Sequence, residues 1–170
     1  MNYIKISKND VANGPGVRVV LWVSGCSLHC KGCHNQSTWS FDSGSKFDSY
    51  ALAELLTALA KPHVKGITFS GGHPLEPQNL SEIANIISIV RQTLPTKDIW
   101  LYTGYTLTMD DFLLESSPCA TILRQCDVVV DGPYIEEERN LMLKFRGSNN
   151  QRLIDVQTTL NNQQITMLEI

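Results

Sequence analysis

Cys26, Cys30 and Cys33 stand in a C-x3-C-x2-C spacing, three thiols within eight residues. Thiolate sulfur is a ligand for zinc or for an iron–sulfur cluster, so residue type alone leaves both open. Spacing separates them. A structural zinc site pairs two short C-x2-4-C hairpins to complete four ligands. No second pair exists here: Cys119 and Cys126 are seven apart, on a helical stretch and the loop after it. His29 and His34 share one tight loop with the cysteines, a poor arrangement for closing a tetrahedron. A cubane cluster has four irons, and three cysteines on one loop hold three of them, leaving the fourth without a protein ligand. An open iron is a place for a substrate or cofactor, by the logic that separates catalytic from structural zinc. A non-catalytic zinc or iron–sulfur binding module is the competing reading of the same residues. The total of five cysteines is odd and clustered, a poor layout for disulfides. In a reducing cytosol they are expected to be thiols available to metal.

The elements that must position this loop follow from periodicity. After the Asn13-Gly14-Pro15-Gly16 turn, Val17 to Val23 (VRVVLWV) is a near-continuous apolar run that reads as a buried strand of parallel-sheet type. The cysteine loop starts at its carboxyl end. Asp48 to Lys61 has helical spacing with Pro62 as the stop, and Gly66 to Ser70 (GITFS) reads as a second strand running into Gly71-Gly72. A helix is expected from Ser81, as its cap, to Leu94, then a strand from Ile99 to Thr103 followed by Gly104. Thr108 to Cys126 holds a weaker helical signal broken by Pro118, and Asp127 to Val130 (DVVV) is a fourth strand ending at Asp131-Gly132. Arg152 to Val156 is a candidate last strand. Alternating strand and helix predicts an α/β fold, with a mostly parallel sheet that is open or curled into a partial (β/α) barrel and helices outside. Such folds put their site at the carboxyl ends of the strands, where the cysteines and glycines lie.

A chain of 170 residues is read as one domain, residues 1–170, able to bury roughly 70% of its unfolded surface. With 42% hydrophobic and 18% charged residues and a formal net charge of −3, it has no basic footprint for nucleic acid. No apolar run approaches the roughly 20 residues that span a bilayer, and the amino-terminal MNYIKISKND lacks the core of a signal peptide. A cytoplasmic location is the expectation.

Six blocks carry a resemblance: NGPGVR (Asn13 to Arg18), GCSLHCKGCHNQSTW (Gly25 to Trp39), TFSGGHPLEPQN (Thr68 to Asn79), DIWLYTGY (Asp98 to Tyr105), VVVDGPY (Val128 to Tyr134) and FRGSNNQR (Phe145 to Arg152). In this order they resemble the radical S-adenosylmethionine (SAM) enzymes, and within them the glycyl-radical activases that serve the anaerobic ribonucleoside-triphosphate reductase. The resemblance implies a partial barrel of radical SAM type and a [4Fe-4S] cluster on Cys26, Cys30 and Cys33. It implies that the open iron is chelated by the amino and carboxylate groups of SAM, whose reductive cleavage gives methionine and a 5'-deoxyadenosyl radical. The implied partners are the large reductase subunit, which would receive a glycyl radical, and an electron donor such as a flavodoxin. An activase of another glycyl-radical enzyme, such as pyruvate formate-lyase, is the near alternative.

The resemblance also implies that Gly32, Cys33 and His34 meet the adenine of SAM and that Gly71 and Gly72 meet its methionine end. It has one departure. The family motif puts an acid after the two glycines, where this sequence has His73. Neutral imidazole accepts one hydrogen bond and supplies no carboxylate charge. Thr103 and Asp131, at strand ends, are read either as SAM contacts or as turn hydrogen bonds. Arg18 and Arg146 are read as meeting the SAM carboxylate, orienting the cluster loop or docking the partner, and the sequence does not separate these roles.

Overall fold

The computed structural model describes residues 1–170. In chain order the elements are β1 (Asn2–Asp10), β2 (Val17–Val23), β3 (Ser45–Lys46), α1 (Ser49–Leu59), β4 (Val64–Gly71), α2 (Pro77–Thr93), β5 (Asp98–Tyr102), α3 (Met109–Leu113), α4 (Ala120–Leu123), β6 (Val128–Asp131), β7 (Arg152–Asp155) and α5 (Val156–Asn162). The strands form one seven-stranded sheet in the order β3-β1-β2-β4-β5-β6-β7. Its centre, β2-β4-β5-β6, is parallel. Both margins are antiparallel, with β1 on β2, β3 on β1 and β7 on β6. The α/β class expected from the sequence is present, in an open sheet with antiparallel margins.

Each central element has a sequence cause. The unbroken apolar run of β2 is buried at Val19, Val20, Leu21 and Val23, as a central parallel strand requires. Helix α1 starts where the Asp48 side chain accepts the Ala51 N–H at 2.9 Å, an N-cap closing one of the orphan donors of the first turn. Helix α2 starts at Pro77, four residues before the expected Ser81, because proline at the first helical position gives up a donor that would be unpaired anyway. The stretch after β5 is split around Pro118 into the short α3 and α4.

Strand β1 has no counterpart in the sequence reading. Its pairing with β2 slips between Tyr3 and Lys5, so Tyr3 and Ile6, three residues apart, both pack on the core. A bulge of this kind removes the two-residue alternation by which a half-buried strand is recognised.

The parallel strands follow one another in chain order without reversal, so right-handed crossovers all fall on one side of the sheet. All five helices accordingly contribute to one 26-residue core, through Leu55, Ile83, Phe112, Leu123 and Val156 among others. Burying each such apolar side chain contributes about 1.5–3 kcal/mol. Alternate strand positions point to the opposite face. There Trp100, Val128, Val130 and Leu153 form a separate group of four, with Tyr102 and Phe145 half-buried against it. One face of the sheet is helix-covered, and the other is left to a loop.

Candidate functional site

At the carboxyl end of β2 the chain turns into the cysteine loop, whose start is tied to its end. The Gly25 N–H donates to the Thr38 carbonyl at 2.8 Å and the Cys26 N–H to the Trp39 carbonyl at 3.0 Å. His29 takes a left-handed conformation (φ 46°) and its ring stacks on Trp39 at 4.5 Å between centroids. It is a loop-shaping residue here. Cys26 is buried, and Cys30 and Cys33 are half-buried; all are free thiols. Burial pushes the Cys26 thiol up, and the backbone N–H groups of Leu28 and His29 act against that by favouring the thiolate. Cys33 Sγ accepts the Asn35 N–H at 3.4 Å. Hydrogen bonds to sulfur are among the means by which a protein tunes a cluster potential. The three sulfurs share one loop but do not converge on a single metal-binding point.

Gly71 and Gly72 sit beside this loop at the end of β4. The Gly72 N–H donates to the Val23 carbonyl and the His73 N–H to the Gly25 carbonyl, both at 2.8 Å. A Cβ on Gly72 would lie 2.5 Å from the Gly25 carbonyl oxygen, and one on Gly71, where φ is +106°, 2.7 Å from the Val23 backbone. These glycines let β4 run hard against the root of the cysteine loop, a packing requirement that exists before any ligand. Asn35 Nδ2 adds a bond to the Gly71 carbonyl at 3.4 Å.

His73 does not face outward. It is 1% exposed, its Nε2 lies 2.7 Å from Thr103 Oγ1 and its Nδ1 3.2 Å from Glu76 Oε1, with Tyr105 edge-on at 4.3 Å. Burial lowers the pKa of the imidazole against the pull of the Glu76 carboxylate. A neutral ring donating from Nδ1 to the carboxylate must accept at Nε2, so Thr103 Oγ1–H donates to it, and the Tyr105 N–H in turn donates to Thr103 Oγ1 at 3.2 Å. Glu76 is 4% exposed and also receives the Ser27 N–H at 2.8 Å and the Ser27 Oγ–H at 2.7 Å, all on Oε1. Burial alone would raise this carboxyl; the bonds from Ser27 and His73 outweigh it and hold Glu76 below the usual carboxylate range. Asn79 completes the clamp by donating to the carbonyls of Ser24 at 3.0 Å and His73 at 3.1 Å.

Glu76, Ser27 and Asn79 were not singled out from the sequence. The available signal was an acid three residues after the histidine and directly before Pro77.

On the helix-free face of the sheet lies a cavity of about 740 Å³, bounded among others by Trp22, Tyr102, Tyr134 and Phe145 and by Arg139 and Arg146. Gly32 and His34 join its wall, bringing the trailing edge of the cysteine loop into it, whereas Gly71 and Gly72 are outside it. Gly32 packs so close to Glu136 that a Cβ would come within 2.8 Å of that carboxyl group. Next to it, Lys31 pairs with Glu137 at 2.9 Å and Glu136 at 3.3 Å. Arg146 donates from Nη1 to the Gln151 carbonyl at 3.3 Å, and its Nε is buried without a partner.

Four other residues weighed in the sequence have structural explanations. Arg18 is fully buried near the amino end of β2, away from the cysteines, bonded to Thr68 Oγ1 at 2.7 Å and the Ile67 carbonyl at 2.9 Å and ion-paired to Asp98 at 2.6 Å. Roles at the SAM carboxylate and in orienting the cysteine loop are thereby removed. Asp131 is fully buried and holds Arg152 and the Leu107 N–H at 2.8 Å, the turn role rather than a ligand contact. Cys126 is buried against the Ile122 carbonyl, and Cys119 is half-buried, apart from the cysteine loop.

Residues 12–154 match the 4Fe-4S single cluster domain family. The chain is 45% identical over 155 residues to the anaerobic ribonucleoside-triphosphate reductase-activating protein of Enterobacteria phage T4, covering 90% of this chain and 93% of that one. The proteins of the same name from Vibrio cholerae and Escherichia coli K12 are 44% and 38% identical over 153 residues, covering 89% of this chain and 96% of theirs. The chain belongs to this activating-protein family. For a member of a 4Fe-4S family, the donor set fits the group: three free thiols on one loop, with backbone N–H groups directed at the sulfurs of Cys26 and Cys33. No helix is long and apolar enough to cross a membrane.

Proposed function

We propose that the whole chain, residues 1–170, is a radical SAM activase that generates the glycyl radical on the anaerobic ribonucleoside-triphosphate reductase. The observation that carries this is the juxtaposition, in a member of the activating-protein family, of a three-cysteine loop with a cavity of about 740 Å³ on the helix-free face of the sheet. That volume is within the range of ligand pockets. The one-sided placement of the helices supports a partial barrel of radical SAM type, with the bare face as its interior.

In this reading Cys26, Cys30 and Cys33 hold a [4Fe-4S] cluster and leave one iron for SAM. When bound, the cluster would supply the electron for reductive cleavage of SAM to methionine and a 5'-deoxyadenosyl radical. The protein positions and shields. Gly32 and His34 present the loop edge to the adenine, and Gly71 and Gly72 bring the β4 end and its backbone beside the methionine part. Trp22, Tyr102, Tyr134 and Phe145 exclude water from the cavity, which also receives the glycine-bearing segment of the reductase. A flavodoxin-type donor in the cytoplasm would supply the electron.

The test is anaerobic reconstitution with iron and sulfide, followed by reductant and SAM. Formation of 5'-deoxyadenosine, and of a glycyl-radical EPR signal on added reductase, is the expected result, with Cys30→Ala yielding neither. No 5'-deoxyadenosine from the intact protein would refute the reading. A radical formed on pyruvate formate-lyase alone would reassign the partner.

A further inference from the structure

Apart from Tyr50, the three most exposed large hydrophobic side chains are Met142 (89%), Leu141 (83%) and Val11 (68%). They sit on two turns, and both turns border one opening. Asp10 and Ala12, on either side of Val11, line the cavity of about 740 Å³ on the helix-free face, as do Leu141 and Leu143 on either side of Met142. Val11 and Met142 stand between wall residues without being part of the wall, so the mouth of the cavity carries an apolar rim. Single exposed hydrophobic side chains are ordinary, whereas a group of them around a cavity marks a surface that another molecule covers.

The turns are built to hold these tips out in solvent. Asp10 Oδ1 accepts the N–H groups of Ala12 and Asn13, each at 2.9 Å, and Asn140 Oδ1 accepts the Met142 N–H at 2.9 Å. Val11 and Leu141 thus each follow an Asp or Asn whose side chain bonds the backbone two residues on, the Asx turn. The second turn is also closed at its base: the Asn140 N–H donates to the Gly147 carbonyl at 3.1 Å, Asn140 Nδ2 donates to Asn149 Oδ1 at 2.9 Å, and Arg139 bridges to Ser148. Side chains carried on turns fixed beforehand lose less freedom on binding.

We propose that Val11, Leu141 and Met142 form a docking surface for the reductase, covered by an apolar patch that flanks its glycine-bearing segment. This rests on the reading that the cavity receives that segment. The occupant follows from the opening: a segment of a large protein cannot enter the cavity without bringing the surface around it against the rim, and Leu141 belongs to wall and rim at once. Methionine is enriched at protein interfaces, and its unbranched side chain adapts to the surface it meets. Tyr50, 84% exposed, belongs to α1 on the helix-covered face and has no part in this rim.

The experiment compares Val11→Glu, Met142→Glu and Tyr50→Glu with the intact protein, each cluster-loaded and anaerobic, with a chemical reductant in place of a protein donor. 5'-Deoxyadenosine is measured with SAM alone, and the glycyl-radical EPR signal is followed as reductase is added. Loss of a contact at the centre of an interface corresponds to roughly tenfold or more in affinity. Val11→Glu and Met142→Glu should therefore need about tenfold more reductase for half of the radical, while forming 5'-deoxyadenosine from SAM alone as the intact protein does. Tyr50→Glu should match the intact protein in both measurements. Iron content and melting temperature of each variant report whether the loop and the fold are intact.

An unchanged reductase requirement in both rim variants would overturn the assignment. So would an equal loss of 5'-deoxyadenosine in the absence of reductase, since that is an effect on the cavity. Conversion of a self-associated protein to a monomer by Met142→Glu, read in sedimentation, would also overturn it and make the rim a contact between copies of this chain. If the intact protein formed 5'-deoxyadenosine but no radical on the reductase, or formed neither, the underlying reading of the function would fail rather than the choice of surface.

Discussion

At the scale of single residues, His73 and Glu76 form one buried pair that holds Ser27 at the root of the cysteine loop. A carboxylate placed at the position of His73 would stand about where Nδ1 now meets Glu76, 3.2 Å from it. His73→Asp therefore sets like charges side by side in a buried site and is expected to loosen the hold on Ser27 rather than to improve it. The pair also sets the acid limb of the stability curve. The pKa of His73 is lowered in the fold from about 6.5, so below about pH 6.5 the unfolded chain binds a proton that the folded chain refuses. Glu76 is lowered from about 4.5 and adds a second loss, in the same direction, as pH falls further. The urea midpoint of the apoprotein is expected to fall between about pH 7 and pH 5, and His73→Asn is expected to flatten the upper part of that fall. The cysteines were legible from spacing because their chemistry is local in sequence. The carboxylate was not, because its meaning depends on Ser27, forty-nine residues away.

At the scale of elements, what was legible is what is written in local punctuation. Asp48 and Pro62 bracket α1 in the sequence, and the helix runs from Ser49 to Leu59. The Asp48 bond to the Ala51 N–H at 2.9 Å is the only side-chain cap of that helix, so Asp48→Ala is expected to lower stability by about 1 kcal/mol, read in chemical denaturation. Asp48→Asn, which keeps an acceptor, should recover most of it. Strand β1 and the true start of α2 were illegible for opposite reasons. The bulge at Tyr3 to Lys5 hides a period that exists, and Ser81 offered a good cap that the chain does not use because Pro77 has already begun the helix. Register also escaped the sequence: alternation of strand and helix predicts parallel pairing, and nothing local in Arg152 to Asp155 says that β7 closes the far margin antiparallel.

At the scale of the molecule, the sheet separates stability from chemistry along its strands. Its carboxyl ends carry the cysteine loop, Gly71-Gly72 and the His73 network. Near its amino ends Arg18 ties β2 to β4 through Thr68 and Ile67 and to β5 through Asp98, with its guanidinium over the Trp100 ring at 5.3 Å. Arg18→Met removes the cation and leaves Asp98 and Thr68 without it, and is expected to cost roughly 3 kcal/mol of stability. SAM affinity of the loaded variant should be unchanged in calorimetry; a selective loss of affinity would return Arg18 to the site. The sequence marked Arg18 as a residue with chemistry but did not show which end of the strand its side chain served, because that depends on the neighbours it finds across the sheet.

The ion pairs of Lys31 with Glu136 and Glu137 join the cysteine loop to the far wall of the cavity, and they do so in solvent, with Lys31 77% exposed. Most of the other bonds that shape the site are shorter in reach and better shielded. The Lys31 pairs answer to ionic strength, because exposed charges are screened over about 8 Å at physiological salt and over about 3 Å at 1 M. Trypsin reads the same residue. Cleavage after Lys31 should quicken as salt rises, to a greater degree than cleavage after the unpaired Lys144, so that the mobility of the cysteine loop becomes measurable as the age of a peptide bond.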